Sequence, residues 1–318
     1  MGSNPFHTPH LVPAQTLRQY PPNWDQIFLR EAPLAVEIGF GNGEFLVDWA
    51  RREPEWNFVG IDSSRGSTER LQKRTLQYSI SNVRILNNDA PFSLRELFSN
   101  NSIQHIVMNF PDPWPKKRHK ERRMLQPSFI QTLGAVLSDR GLFELVTDQR
   151  WLAQDCLFMF SQSDRFFELN AVEKNPERVL RTKYEKKWRD SGCDIYRLRA
   201  IKIRETAISR ILEDSEMPHR IIENEISPDQ VILLKNFEYE AGNHLFVVKE
   251  VYADFTKNSY LFRAISKDFD YKQAFYIVIS KRQNEWLIKL DETCPVFRTP
   301  AVKLAVLKIA EILSNAHQ

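Results

Sequence analysis

Five short apolar runs, Ala35–Ile38, Phe58–Ile61, Val83–Leu86, Ile103–Met108 and Leu142–Val146, recur along the first half of the chain. Stretches of helical periodicity separate them, including Glu44–Arg52, Arg65–Ile80 and Pro127–Leu137. Strands that alternate with helices restrict the chain to a βαβ winding, because parallel neighbours need a crossover long enough to hold a helix. Runs that are apolar throughout belong to strands covered on both faces. The expected fold is therefore α/β, a doubly wound, mostly parallel sheet. Phe166–Val172 and Ile195–Ile203 are candidates for further edge strands.

The flanking regions read differently. Residues 1–33 are Pro-rich and weakly periodic, an N-terminal arm with a short helix near Trp24–Arg30. Pro218 and Pro228 break the pattern inside an acidic stretch, Ser215–Asp229. A domain boundary there leaves residues 34–214 as the α/β domain and 215–318 as a small α+β accessory module. In that module strands are expected at Val231–Tyr239, His244–Phe255, Tyr260–Ser266, Gln273–Ser280 and Trp286–Leu290, with a helix at Ala301–Ser314. A module this small needs an apolar core, so most of Phe246, Tyr252, Phe262, Phe275, Tyr276 and Trp286 should be internal.

With 42% hydrophobic and 27% charged residues the chain is not of the disordered class. No run approaches the roughly 18 apolar residues of a membrane span, and the Pro-rich start is not a secretory signal. Cys156, Cys193 and Cys294 fit neither a metal-ligand spacing nor an even disulfide framework. The expectation is a cytoplasmic protein without a metal site.

Charge is unevenly spread. Residues 1–204 hold 30 Lys and Arg against 24 Asp and Glu, while the remainder holds 14 against 17. Lys116–Arg123 reads KKRHKERR, and Arg178–Arg204 carries ten basic residues against three acidic ones. One such run is usually a solvated helix face. Two in one domain, beside an acidic module, point to a polyanionic partner.

The sequence Glu37-Ile-Gly-Phe-Gly-Asn-Gly43 joins the first strand to the first helix. Gly39, Gly41 and Gly43 allow a tight turn against which a ligand can lie, and the second strand ends in Asp62, where nucleotide sites keep a carboxylate for ribose hydroxyls. The spacing is Gly-x-Gly-x-Gly after a carboxylate. Glu37 would repel a pyrophosphate and suits the cationic methionine moiety of S-adenosyl-L-methionine. Asp89, after the third strand, is placed to reach an adenine amino group or to cap the next helix.

After the fourth strand comes Asn109-Phe110-Pro111-Asp112-Pro113-Trp114-Pro115-Lys116. Three prolines stiffen the loop and present Asp112 between two of them. Trp114 is a candidate for stacking on a base, although core packing is the commoner use of a tryptophan. With the run of basic residues behind it, with Glu37–Gly43, Asp62, Asn88-Asp89, Thr147-Asp148 and Thr182-Lys183-Tyr184-Glu185 in order, the stretch from about residue 30 to 203 resembles the bacterial tRNA (guanine-N7-)-methyltransferase family.

That resemblance implies a Rossmann-like class I methyltransferase domain, S-adenosyl-L-methionine as cofactor and tRNA as partner, with guanine 46 of the variable loop as target. It implies that Glu37, Gly39, Gly41, Gly43, Asp62, Asp89 and Asp112 bind the cofactor and that Asp112 is also catalytic. Lys116, Asp148, Thr182, Lys183, Tyr184 and Glu185 are implied to face the substrate. Arg118, His119, Lys120, Glu121, Arg122 and Arg123 are implied to contact RNA. Residues 205–318 lie beyond the common pattern, and monomer and homodimer are both open. The readings to be weighed against it are an amino-group methyltransferase acting on a base, a nicotinamide-dependent oxidoreductase and a non-catalytic RNA-binding protein.

Overall fold

Asn23 opens the first helix, α1 (Trp24–Phe28), by accepting a hydrogen bond from the Gln26 N–H at 3.2 Å, and Leu29 ends it in the left-handed conformation. The computed structural model describes residues 10–116, 118, 123–163, 166–213, 216, 218–254, 256 and 258–315. They divide into two compact units: Pro21–Arg210 with residues up to Pro13, and the chain from Ile211 with Ala14–Tyr20.

In the first unit the alternation runs β1 (Leu34–Ile38), α2 (Glu44–Arg52), β2 (Asn57–Ile61), α3 (Arg65–Gln77), β3 (Val83–Leu86), α4 (Ala90–Leu97), β4 (Ile103–Asn109), α5 (Pro127–Val136) and β5 (Leu137–Thr147). It continues through α6 (Arg150–Ser161), β6 (Phe167–Leu169), β7 (Glu173–Lys174), α7 (Lys183–Asp190) and β8 (Tyr196–Lys202). The sheet order is β3-β2-β1-β4-β5-β8-β6, with β7 also on β8. The first five members are parallel, and β8 reverses against β5. Every residue of β1 and β2 is buried, as expected of strands covered on both faces.

Amphipathic α2 shows how such a layer is held. Its Phe45, Leu46, Trp49 and Ala50 are buried, and Trp49 packs edge-on against Phe58 at 5.0 Å and His105 at 4.9 Å. Truncating a ring like Trp49 to Ala typically costs about 3–5 kcal/mol.

Two features depart from the sequence reading. The N-terminal arm is not a free tail: Leu11 bridges to Ile85, and Val12 donates to the Ile85 carbonyl at 3.0 Å, beside β3. Ala14–Tyr20 belongs instead to the second unit, where the Tyr20 ring meets Phe297 edge-on and burial pushes its phenol up to about 12. Periodicity has no access to such long-range pairings.

The second unit comprises β9 (His219–Ile222), α8 (Pro228–Leu233), β10 (Glu238–Ala241), β11 (His244–Asp254), β12 (Ser259–Asp268), β13 (Tyr271–Arg282), β14 (Glu285–Leu290) and α9 (Pro300–Asn315). Its sheet is antiparallel, in the order β10-β11-β12-β13-β14-β9. The strand expected over Val231–Tyr239 is a correction. Ser227 and Gln230 form a capping box with Pro228 in the first turn, which starts a helix, and only the end of that stretch is strand. Strand β9 falls inside the acidic stretch where the domain boundary is expected. Phe246, Phe262, Phe275 and Trp286 are buried with Val302, Val306 and Ile309 of α9, whereas Tyr252 is 51% exposed. Asp268, fully buried, accepts from the Ala301 N–H at the start of α9 at 2.9 Å and lies 2.8 Å from His244 Nδ1.

Candidate active site

Sheet order reverses between β1 and β4, and open α/β sheets bind ligands at the carboxyl ends of strands at such a point. A cleft of about 330 Å³ opens there, within the ~300–1,000 Å³ of small-molecule sites. Gly39, Asp62, Asp89, Asn109 and Asp112 line it, from the ends of β1, β2, β3 and β4. Pro111, Trp114, Met124 and Leu152 give it apolar walls.

The glycine loop is fixed by its own backbone and by Asp62. Gly43 caps α2 at φ 75°, and a Cβ there would meet Leu71 Cδ1 at 2.6 Å, so both conformation and packing disfavour a side chain. Gly41, at φ 54°, donates its N–H to Asp62 Oδ2 at 3.0 Å, while Ser64 N–H donates to Oδ1 at 2.9 Å. Asp62 thus braces the loop while lining the cleft. Asp89 is both a helix cap and a cleft residue: it accepts from Phe92 N–H at 2.9 Å.

Glu37 is placed otherwise than a solvent-facing ligand. It is 1% exposed and accepts from Asn109 Nδ2 at 3.2 Å through Oε1. Burial pushes its pKa up to about 8, against the pull of the Asn109 amide and the Arg178 guanidinium.

The Pro-Asp-Pro-Trp loop is strained at both ends. Phe110 has φ 51° and Trp114 φ 44°. Each costs on the order of 1–3 kcal/mol in a residue with a side chain and persists only where the surroundings hold it. Phe110 N–H donates to the Val146 carbonyl at 2.7 Å. Arg123 Nε donates to the Trp114 carbonyl at 3.2 Å, its Nη1 reaches Asp155 at 3.2 Å, and its guanidinium lies 4.7 Å from the Trp151 ring centre. Arg123, expected on RNA, clamps this loop and lines the cleft. Asp112 is exposed between its prolines.

Of the remaining expected residues, Lys116, Arg118, Lys183 and Tyr184 are exposed. His119, Lys120, Glu121 and Arg122 lie outside the described residues. Asp148, half-buried just past β5, accepts from Gln149 Nε2 at 2.6 Å. Thr182 caps α7, accepting from Glu185 N–H at 3.0 Å. Glu185 faces inward, not toward a substrate: it is fully buried, taking Arg178 at 2.6 Å and Arg189 at 3.2 Å.

Arg178 is the residue that sequence reasoning places wrongly. The basic stretch assigns it to a polyanion, yet its side chain is 4% exposed and binds Glu185, Asn109 Oδ1 at 2.9 Å and Glu144 at 3.1 Å. It thereby ties the last residue of β4, directly before the Asp112 loop, to β5 and to α7. Arg197 and Arg199 pair with Glu173 at 2.7 and 2.8 Å, and Lys202 donates to the Leu137 carbonyl at 2.6 Å. Arg178, Arg197 and Lys202 of the second basic cluster are therefore tied into the fold. Asn109 and Arg178 carry no motif; the only sequence signal is the position of Asn109 before Phe110-Pro111-Asp112.

A family model described as "Putative methyltransferase" matches residues 31–198. A tRNA (guanine-N(7)-)-methyltransferase of Thermotoga maritima is 39% identical over 309 residues, covering 96% of this chain and 97% of that protein. One from Coprothermobacter proteolyticus is 32% identical, covering 96% and 94%, and one from Thermus thermophilus 36% identical, covering 69% and 70%. Matched by such relatives over nearly its whole length, second unit included, the chain belongs to the tRNA (guanine-N7-)-methyltransferase family.

Proposed function

We propose that the chain transfers the methyl group of S-adenosyl-L-methionine to N7 of a guanine in tRNA, and that this guanine stands at position 46. The observation that carries the reading is the cleft at the sheet reversal, with Asp62, Asp89 and Asp112 on its wall. An acid-rich cleft suits a ligand bearing a sulfonium and an ammonium and disfavours a dinucleotide, whose pyrophosphate would meet three carboxylates. The buried Glu37 carboxyl behind the loop fits the same ligand, since a cation nearby would favour its charged form. The names of the relatives support tRNA guanine as the substrate.

When bound, the cofactor supplies an electrophilic methyl group. Asp62 and Asp89 hold its ribose and adenine ends. Guanine N7 already carries an in-plane lone pair, so no general base is needed, and the burden falls on alignment. The rigid loop holds Asp112 at the cleft mouth, where its charge offsets the positive charge that develops on the purine. Pro111, Trp114 and Leu152 exclude water from the reacting centre. Lys116 and Arg118 hold phosphates in register. The reaction belongs to the cytoplasm, where tRNA is found; no helix of the described residues is long and apolar enough to cross a membrane.

The test is methyl transfer to a tRNA transcript and to the same transcript with guanine 46 replaced by adenine. Transfer to the first alone is expected; equal transfer to both would overturn the position.

A further inference from the structure

Folding dissolves the second basic stretch of the sequence and assembles another cluster from residues far apart in it. Arg181, Lys183 and Lys186, at the start of α7, meet Arg51 from the last turn of α2 and Arg74 from α3 around an open cleft of about 270 Å³. Tyr78, at the end of α3 and 44% exposed, forms part of the wall, with the Arg51 guanidinium 5.5 Å from its ring centre. Two carboxylates share the space. Glu44 is taken by Arg74 at 2.7 Å, and the other is Asp48.

Five cations line one concavity with two carboxylates, and Arg181 also lies 3.9 Å from Glu185, so at least two positive charges remain in surplus. Among the described residues, Lys183 and Lys186 make no ion pair. A solvated face spreads its cations around one helix. Here they converge from three helices, where mutual repulsion favours an anionic ligand. The half-exposed tyrosine adds a stacking surface for a base, and cations beside an aromatic platform are how proteins hold unpaired nucleotides. The cleft begins at Glu44, next to the glycine loop, and at Lys183, next to Thr182.

We propose that this cleft is a second RNA contact, holding a backbone phosphodiester between Arg51, Lys183 and Lys186 and an unstacked nucleotide on Tyr78. It rests on the reading of tRNA as substrate and adds Arg51, Arg74, Tyr78 and Lys186 to the residues that recognise it. A phosphate held here sets the register of the RNA while the target base occupies the methyl-transfer cleft.

The test titrates the full chain with tRNA at several salt concentrations. Arg51→Ala combined with Lys186→Ala should flatten the slope of log affinity against log salt by about 0.7–0.9 for each lost phosphate contact. Tyr78→Ala should weaken binding roughly 5- to 150-fold, the equivalent of about 1–3 kcal/mol per stacked base, with the slope unchanged. Affinity for S-adenosylhomocysteine serves as the control for folding. Arg51→Gln and Lys186→Gln, made singly, keep the aliphatic stems and are read in the same way. A wild-type slope in the Arg51 and Lys186 variants would overturn the proposal. Inorganic phosphate at constant ionic strength separates the phosphate sources: phosphate that binds the wild type and not the double variant, yet leaves tRNA affinity unchanged, would assign the cleft to a small phosphate ligand and overturn the RNA assignment. A wild-type protein that binds tRNA with the expected slope but makes no methylated guanine would sink the activity proposed above and leave the cleft standing. A wild type that methylates, with a double variant of unaltered slope, would sink the cleft alone.

Discussion

In the first unit the carboxyl ends of the strands bury Glu37, Asn109, Glu144 and Arg178, whereas the covered face of the second sheet is Phe246, Phe262, Phe275 and Ile277 against α9. The first arrangement holds charged groups out of water, strains Phe110 and Trp114, and lines a cleft with carboxylates. The second gains its stability from apolar packing, with Asp268 spent on the start of α9. Burying paired charges is a poor way to gain stability, because desolvation offsets most of the attraction. Where a protein does so beside a cleft, the arrangement serves position. The cleft, and with it the proposed chemistry, belongs to the first unit.

Removing one partner from each kind of core gives the largest effects. Arg178→Ala leaves Glu144 and Glu185 buried with a partner lost, which typically costs about 3–5 kcal/mol, and Phe275→Ala costs a similar amount through its cavity. Denaturant unfolding should find both variants destabilised. Only Arg178→Ala should also weaken S-adenosylhomocysteine binding, measured by calorimetry; a matching loss in Phe275→Ala would break the contrast.

Next in size is Asp112→Ala. The residue is exposed, so the melting temperature should hold while single-turnover methyl transfer falls by about 10²–10³. Near wild-type turnover would remove Asp112 from the mechanism.

Glu37 gives an effect that depends on pH. Its folded pKa, about 8, lies above its ordinary 4.5, so the folded state holds the proton more tightly than the unfolded chain. Its contribution is fully present below about pH 4.5 and is lost as pH rises through about 8. Glu37→Gln does not titrate. Its stability relative to wild type should therefore rise with pH across that window, by at most ~1.4 kcal/mol per unit. Urea unfolding at about pH 5 and about pH 8 measures it, and a constant difference would contradict the burial argument.

The smallest expected change separates neighbours in one basic run. Arg118→Ala should flatten the salt dependence of tRNA binding by about 0.7–0.9. Arg123→Ala should leave that slope alone and slow transfer, because Arg123 is committed to Trp114, Trp151 and Asp155.

The comparison also marks what the sequence reveals. The parallel sheet, its glycine loop and the Asp112 loop are local signals: period, turn chemistry and proline spacing act within a few residues, and each is legible. Glu185 and Arg178 are not. Their seven-residue separation on the chain says nothing of Glu144 and Asn109, which only the sheet register brings to them. For the same reason the basic stretch misleads, since a count of lysines and arginines cannot tell an exposed Lys186 from a buried Arg178. In the second unit the Val231–Tyr239 run has strand composition, yet a capping box at Ser227 decides for helix.

Nucleoside mass spectrometry decides whether the first unit's cleft methylates guanine N7 in tRNA. Unmodified tRNA is incubated with the protein and S-adenosyl-L-methionine, then digested to nucleosides. The account predicts 7-methylguanosine, approaching one per tRNA, and its loss with Asp112→Ala. Methylated adenosine or cytidine, or unmodified tRNA despite measurable S-adenosylhomocysteine binding, would contradict it.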